Sequence, residues 1–520
     1  MKKKGNFFVY MVLVAAVLLT KVLGLVRNMM LSACYGTSVE ASAFIAVSNL
    51  PLIIFDVTFG TAISAAFVPV FNEKLTSEGE KNANKFASNF ITIVLAFSAV
   101  IVILGIIFPE VALSLVASGF ENSETVVNLA TSLIRIIMPI ICFACCTFIF
   151  IGILQSYGEF IAPALVSLFS NLSMIFYLLF INSSFGIEGL AVAFCFGWFL
   201  QFAFLLPFLK KKRFKYTFRF DIKSPDIKKV AILTLPLFVS SLAQPINQLI
   251  SSNFSSTVSH NAIATVNYAY NAYFIVAGVF SYALTNMFFP EMSRKFASKD
   301  IEGATYICKD MLSTITAIII PIMAVICSCS KPIIKVLYER GEFTTSDTNN
   351  VAVLLSIYTL GMLFLSWQDI LNKYFYSMQK SFIPMIAAAA GIAVNFILSL
   401  ILISILGING LAISTVVSGF LMTAILSLFT FNYTKSIFKK DFVMELIKIL
   451  VSGVSVYFLC LLLLKLINVY SFGTLVQTLL MAAIFIVSVL FYFLALLILK
   501  SNNLSKILKL FKKEGKPNNV

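Results

Sequence analysis

Apolar runs of twenty residues or more recur from one end of the chain to the other, separated by short polar stretches. A membrane-spanning helix needs about 20 mostly apolar residues. Fourteen segments meet that length: roughly 7–34, 42–71, 86–108, 126–154, 160–182, 187–209, 229–253, 261–290, 309–330, 347–372, 383–405, 409–432, 443–467 and 472–499. The pattern excludes a soluble domain on a single anchor. It predicts an all-α polytopic membrane protein of 14 transmembrane helices. The first segment is longer than the apolar core of a secretory signal, and no small-residue cleavage site follows it. It is expected to be a retained helix.

Composition agrees with this. Of 520 residues, 60% are hydrophobic and 12% are charged, against roughly 25% charged in soluble domains. The formal net charge of +15 would also suit nucleic acid, but its placement points elsewhere. With fourteen helices and the N-terminus inside, 30 of the 38 Lys and Arg fall in tails and inside loops, three in outside loops and five within helices. The asymmetry is the positive-inside rule, so the basic charge reports topology and contact with acidic lipid headgroups. A cytoplasmic (inner) membrane location with both termini cytoplasmic is expected, and no nucleic-acid partner. The nine Cys lie mostly within helices and His260 is the only His, which gives poor support to zinc chemistry or a His-based triad. No paired-carboxylate site, glycine-rich phosphate loop or large extramembrane domain is visible, so a transporter is expected rather than an enzyme.

The chain also repeats itself. Pro69 and Pro290, Pro163 and Pro384, and the runs Gly186–Ala191 (GIEGLA) and Gly407–Ala412 (GINGLA) are all 221 residues apart. Six helices, an even number, separate the copies, so the repeat is parallel, related by an axis along the membrane normal. The expected organisation is two pseudo-symmetric six-helix lobes plus two C-terminal helices. Residues 1–209 form an N-lobe of helices 1–6, 210–228 a basic cytoplasmic linker and 229–433 a C-lobe of helices 7–12. Residues 434–500 hold helices 13–14, and 501–520 form a basic cytoplasmic tail. Parallel-repeat transporters bind substrate between halves that rock to give alternating access. Proline and glycine within the second and eighth helices are breaks of the kind tolerated beside a cavity or a neighbouring helix.

Ionisable residues inside helices are expensive and are candidates for function. Helix 1 carries Lys21 and Arg27. Lys21, Gly24 and Asn28 share one helical face, and Thr20, Gly24 and Arg27 the neighbouring one. Gly24 would let another backbone or a ligand approach. Helix 2 carries Asp56, helix 4 Arg135, and helix 10 Asp369 with Lys373. The first lobe is thus cationic, which suits an anionic substrate: Arg grips phosphate through a planar fork and Lys as a point charge. Asp56 is open to two readings, a coupling-ion site or a salt-bridge partner of Lys21 or Arg27, and the salt bridge is the favoured expectation.

At these residues the chain resembles the MurJ/MviN branch of the multidrug/oligosaccharidyl-lipid/polysaccharide exporter superfamily. The matching segments are TKVLGLVRN (20–28), NLPLIIFDVTFGTAISAAFVPVFNE (49–73), SLIRIIMPI (132–140), FFPEMSRKFAS (288–298), LYERGEFTTSDT (337–348) and LNKYFYSMQKSFIPM (371–385). They span helices 1–12, and LYERGEF is the most specific. The resemblance implies fourteen helices around a central cavity and an alternating-access flippase for lipid II, the undecaprenyl-diphosphate-linked peptidoglycan precursor. Lys21, Arg27 and Arg135 would hold the diphosphate, with Gly24, Asn28 and Asp56 beside them.

The chain departs from the family pattern at several of these positions. The family usually has Arg at the position of Lys21, an acid at Asn28, Arg at Asp56, Glu at Gly60, and an Asp-Arg pair at Tyr270 and Asn271. Asn395 and Thr415 match a sodium site described for some members, whose acidic positions fall on Ser251 and Ser399. These four are the coupling-ion candidates. No cofactor is implied, and sodium, protons or the membrane potential remain open as the driving force. The partners implied are a lipid-linked oligosaccharide, membrane lipids and cell-wall synthesis proteins. Two other readings stay open: a flippase for another undecaprenyl-linked unit (capsule, teichoic acid or exopolysaccharide), and a cation-coupled drug exporter.

Overall fold

The computed structural model describes residues 2–60, 62–434, 440–469 and 472–504, with a few stretches such as 276–288 described by backbone only. Most of the expected tail 501–520 therefore lies outside the described residues. No strand occurs among them; helices follow one another throughout. The first series is α1 (Lys2–Tyr35), α2 (Val39–Phe55), α3 (Val68–Ser77), α4 (Glu80–Ile107), α5 (Pro109–Ala117), α6 (Glu124–Ile137), α7 (Ile140–Ser156), α8 (Ile161–Leu165), α9 (Leu168–Phe180) and α10 (Asn182–Lys211). Then come α11 (Pro225–Ser241), α12 (Ala243–Val258), α13 (Ala262–Ala297), α14 (Ile301–Ser328), α15 (Ser330–Tyr338), α16 (Thr345–Leu360), α17 (Met362–Ser377), α18 (Phe382–Leu406) and α19 (Ile408–Tyr433). Last are α20 (Lys440–Ile467) and α21 (Thr474–Ile498).

Among the described residues, 11 helical spans are long and apolar enough to cross a membrane. The other three expected spans fall on α1, on α11 with α12, and on α13. Several expected spans are broken. The segment expected at 42–71 is α2, a π-helical turn at Asp56–Gly60, a second at Ala62–Phe67, and then α3. Proline and hydroxyl chemistry explain the break. Pro51 removes a donor inside α2, and the Thr58 hydroxyl donates back to the Ile54 carbonyl at 2.7 Å. Pro69 sits in the first turn of α3, where a missing N–H costs nothing. The spans expected at 126–154 and 347–372 break at Met138–Pro139 and at Gly361. Two nine-residue helices, α5 and α15, occupy stretches read from the sequence as loops; they are too short to register as spans.

The 221-residue offset extends to helix ends. α4 and α14 begin and end 221 residues apart, as do α5 and α15. The broken pair α6–α7 likewise matches α16–α17 at its outer limits, and α8 begins 221 residues before α18. The backbone repeats as well: Gly186 has φ 57° and ψ −148°, and Gly407 has φ 56° and ψ −137°. That region is open essentially to glycine alone. Gly186→Ala or Gly407→Ala is therefore expected to cost about 1–3 kcal/mol each, read as a lowered melting temperature of the purified chain. An unchanged melting temperature would count against the strain.

Packing divides the chain into two compact units. One comprises Met1–Ala264 with Arg340–Phe343, the other Thr265–Glu339 with Thr344–Val520. Within the first, rings of Phe67, Phe71, Phe86 and Phe90 stack, Phe67 on Phe90 at 4.8 Å. Here α12 approaches α5 very closely. Asn253 Nδ2 donates to the Ser114 carbonyl at 2.7 Å, Ser118 Oγ donates to Asn253 Oδ1 at 2.8 Å, and Gly119 N–H donates to Ser256 Oγ at 2.9 Å. The Arg340–Phe343 segment, the end of the LYERGEF motif, lies on the C-terminal end of α1, where Glu342 N–H donates to the Ala33 carbonyl at 2.9 Å. Glycine permits both approaches. A Cβ on Gly119 would lie 2.2 Å from the Ser256 carbonyl oxygen, and one on Gly341 2.1 Å from that of Ala33.

The linker is not a free tether. Asp221 N–H donates to Asn89 Oδ1 at 2.7 Å, and Asn89 Nδ2 returns a bond to the Asp221 carbonyl at 2.9 Å. Thr217 N–H donates to Ser88 Oγ at 3.1 Å, and Tyr216 shares a hydroxyl bond with Thr92 at 2.8 Å. Ser88, Asn89 and Thr92 form a buried polar stripe on α4, and the linker backbone satisfies it.

In the second unit α20 and α21 pack on α14 through Ile320, Val325, Ile449, Val456, Tyr492 and Leu496. Glu445 closes the end of α21. Its carboxylate accepts from Ser501 Oγ at 2.6 Å, Asn502 N–H at 3.1 Å and Asn503 Nδ2 at 3.0 Å, and pairs with Lys448 at 2.9 Å.

Candidate substrate site

The six substrate candidates all lie in the first unit. Lys21, Gly24, Arg27 and Asn28 are on α1, Asp56 is at the junction of α2 with its π-helical turn, and Arg135 is in the last turn of α6. Two of them meet directly. Arg27 donates from Nε and Nη2 to Asn28 Oδ1 at 3.2 and 3.0 Å. The guanidinium fork thus closes on a neutral amide oxygen that brings no charge of its own. A carboxylate there would offset the cation; the Asn28 side chain, 9% exposed, only orients it.

Gly24 faces α9. A Cβ built on it would come 3.9 Å from Asn171 Oδ1. Asn171 Nδ2 donates to the Ser167 carbonyl at 3.0 Å and to that of Thr20 at 3.5 Å. The small residue therefore admits a polar side chain that fastens α9 to α1. Asn171 was not among the sequence candidates, although an amide in the middle of the apolar 160–182 run is a signal of its kind.

Lys21, Asp56 and Arg135 are exposed. Arg135 lies about 16 Å along its span from Glu124 at 1.5 Å per residue. One turn earlier, Ser132 Oγ donates to Glu188 Oε1 of α10 at 2.5 Å, a carboxylate first noticed only as part of the repeat. The position at the C-terminal end of α6 also favours a cation, since the helix dipole is negative there.

Asp56 corrects an expectation. It was expected to pair with Lys21 or Arg27, yet among the described residues it forms no salt bridge. The reason is local. The carboxylate lies over its own π-helical turn, with Oδ1 3.1 Å from where a Gly60 Cβ would be. Gly60 leaves that face open.

Of the coupling-ion candidates, Ser251 is on α12 in the first unit. Asn395 and Ser399 are on α18 and Thr415 on α19, in the second. Asn395 and Ser399 are each 1% exposed. Ser399 shares a hydroxyl bond with Ser414 at 2.8 Å, and the Thr415 hydroxyl donates to the Leu411 carbonyl at 2.9 Å. All four offer neutral oxygens, and those of Ser399 and Thr415 are engaged within the α18–α19 pair. His260 lies edge-on to the Phe120 ring at 5.8 Å, in a packing role.

Known proteins share the sequence pattern and fold of this chain. The family model described as "Lipid II flippase MurJ" matches residues 31–481, which leaves Lys21, Gly24, Arg27 and Asn28 ahead of the matched stretch. The chain is 28% identical over 399 residues to a "Probable lipid II flippase MurJ" of Rickettsia prowazekii, covering 76% of this chain and 78% of that one. Among solved structures, "Lipid II flippase MurJ, inward closed conformation" superposes with a TM-score of 0.78 at 26% identity, over 94% of this chain and 100% of that one. An inward-facing multidrug resistance MATE family transporter of the MOP superfamily superposes at 0.63 and 14% identity, over 83% and 99%, a likeness of fold.

Proposed function

Because the chain belongs to the lipid II flippase MurJ family, we propose that it moves undecaprenyl-diphosphate-linked peptidoglycan precursor from the inner to the outer leaflet of the bacterial cytoplasmic membrane. The observation that carries this is the family match over residues 31–481. It favours the peptidoglycan precursor over a capsule or teichoic acid unit and over a drug. In this reading α1, α11 with α12, and α13 supply the three spans beyond the eleven, and both termini are cytoplasmic.

The charges give the mechanism its chemistry. A charged side chain turned toward lipid tails is costly, so exposed intramembrane charges face a water-filled cavity. Lys21, Arg27 and Arg135 are the groups we assign to the diphosphate: Arg through its planar fork, Lys as a point charge. The sugars travel through the aqueous space and the polyprenyl tail stays in the bilayer. The cavity opens alternately to the two sides. For the driving force, Asn395, Ser399 and Thr415 offer only neutral oxygens, so we assign it to the membrane potential rather than to sodium held there. An inside-negative potential favours outward movement of an anion by about 2.3 kcal/mol per charge per 100 mV.

The test is replacement. In a strain depleted of its own lipid II flippase, the chain is expected to restore growth and clear the accumulated lipid-linked disaccharide-peptide, measured by mass spectrometry. Continued accumulation with the chain present in the membrane at normal level would overturn the reading.

A further inference from the structure

The linker carries a pattern that flipping does not use. From Phe214 to Lys223 it alternates strictly: Phe214, Tyr216, Phe218, Phe220 and Ile222 are apolar or aromatic, and Lys215, Thr217, Arg219, Asp221 and Lys223 are polar. Phe214–Phe220 is neither helix nor turn. Four of the five apolar members are left uncovered by protein: Phe218 is 80% exposed, Phe220 51%, Ile222 49% and Tyr216 48%. A run of exposed aromatic side chains is a binding surface, not packing.

Its depth identifies what covers it. The linker backbone is bonded to Ser88 and Asn89, about 12–14 Å along α4 from Glu80 at 1.5 Å per residue. The first turns of α4 carry Glu80, Lys81 and Lys85, and its apolar run begins at Phe86. The aromatic side chains therefore lie level with the place where the chain passes from charged to apolar. That is the headgroup boundary, where aromatic residues concentrate. Charge identifies which lipid. Residues 210–223 hold seven cations against one carboxylate, and that carboxylate, Asp221, lies 3.4 Å from Arg219. Basic residues beside a bilayer attract anionic headgroups.

We infer that Phe214–Lys223 is an interfacial anchor, seating its aromatic side chains among the headgroups of an anionic leaflet while its basic residues hold the lipid phosphates. α4 fixes its height through Ser88, Asn89 and Thr92. The surface is separate from the cargo site, because it recognises bulk anionic phospholipid rather than a transported glycolipid.

The test uses the full chain carrying F218W, an exposed position where tryptophan fits, reconstituted in phosphatidylcholine vesicles with and without phosphatidylglycerol. Wild-type emission from Trp198 and Trp367 is subtracted. The added tryptophan is expected to emit at short wavelength and be shielded from aqueous iodide. It is also expected to be quenched roughly twofold more by headgroup-proximal brominated phosphatidylglycerol than by the brominated zwitterionic lipid. Gln at Lys211, Lys212, Lys215 and Arg219 together is expected to erase that preference and leave the lipid quenching. Strong iodide quenching with none from bromolipid overturns the anchor. Shielding from both quenchers, as a protein partner would give, also overturns it, and equal quenching by the two bromolipids overturns its charge selectivity.

Discussion

A chain carrying Lys21→Ala and Arg27→Ala together is expected to lose complementation of a flippase-depleted strain while reaching the membrane at normal level. Both side chains lie on α1, one exposed and one part-buried, so their loss opens no core cavity. A hydrogen bond to a charged group contributes about 1.5–3 kcal/mol. Losing two such phosphate contacts costs about 3–6 kcal/mol, a factor of roughly 10²–10⁴ in cargo affinity at 1.4 kcal/mol per tenfold. Lys21→Arg keeps the charge and adds a fork, and it is expected to retain most activity. The measurement is transport of fluorescent lipid II in vesicles alongside the growth test. Wild-type rates in the double variant would move the phosphate site elsewhere.

The second large effect is expected at the two glycine approaches. Gly119→Ala sets a Cβ against the backbone of Ser256 and Thr257, and backbone cannot turn aside as a side chain can. Gly341→Ala meets the Ala33 carbonyl and in addition holds a left-handed backbone, φ 57°. Overpacking costs typically about 1–3 kcal/mol and left-handed strain a similar amount, so Gly341→Ala is expected to cost on the order of 2–6 kcal/mol. Two readouts apply: the melting temperature of the purified chain, and, for Gly119→Ala, cross-linking of cysteines placed at Ser114 and Asn253, which should fall sharply. Undiminished cross-linking would mean that α5 and α12 do not need the glycine to meet.

Much of this architecture is written in the hydropathy of the chain. Each of the fourteen apolar runs falls on helix, and three short matches were enough to reveal an offset that the helix ends then keep. What averaging over twenty residues conceals is anything shorter. α5 and α15 are nine-residue pieces, and the π-helical turns from Asp56 onward go with one hydroxyl, two prolines and an unfilled glycine. The site was legible as residue types and not as pairings. Arg27 was readable as a cation, but nothing in the sequence said that its fork would close on Asn28 or that Asp56 would lie over Gly60. Asn89 shows the same limit: a buried amide in an apolar helix announces a partner without naming the backbone of Asp221, 132 residues away.

The matched joints at Gly186 and Gly407 bear on how many cargo molecules one chain can carry. The frame is doubled, but its charge is not. The counterparts of Lys21, Arg27 and Arg135 at the 221-residue offset are Leu242, Gln248 and Ser356, none of which bears charge. The glycine joints are matched across the repeat, and the three cations assigned to the diphosphate are not. Titration of the purified chain with a soluble undecaprenyl-diphosphate analogue should accordingly saturate at one equivalent per polypeptide, not two.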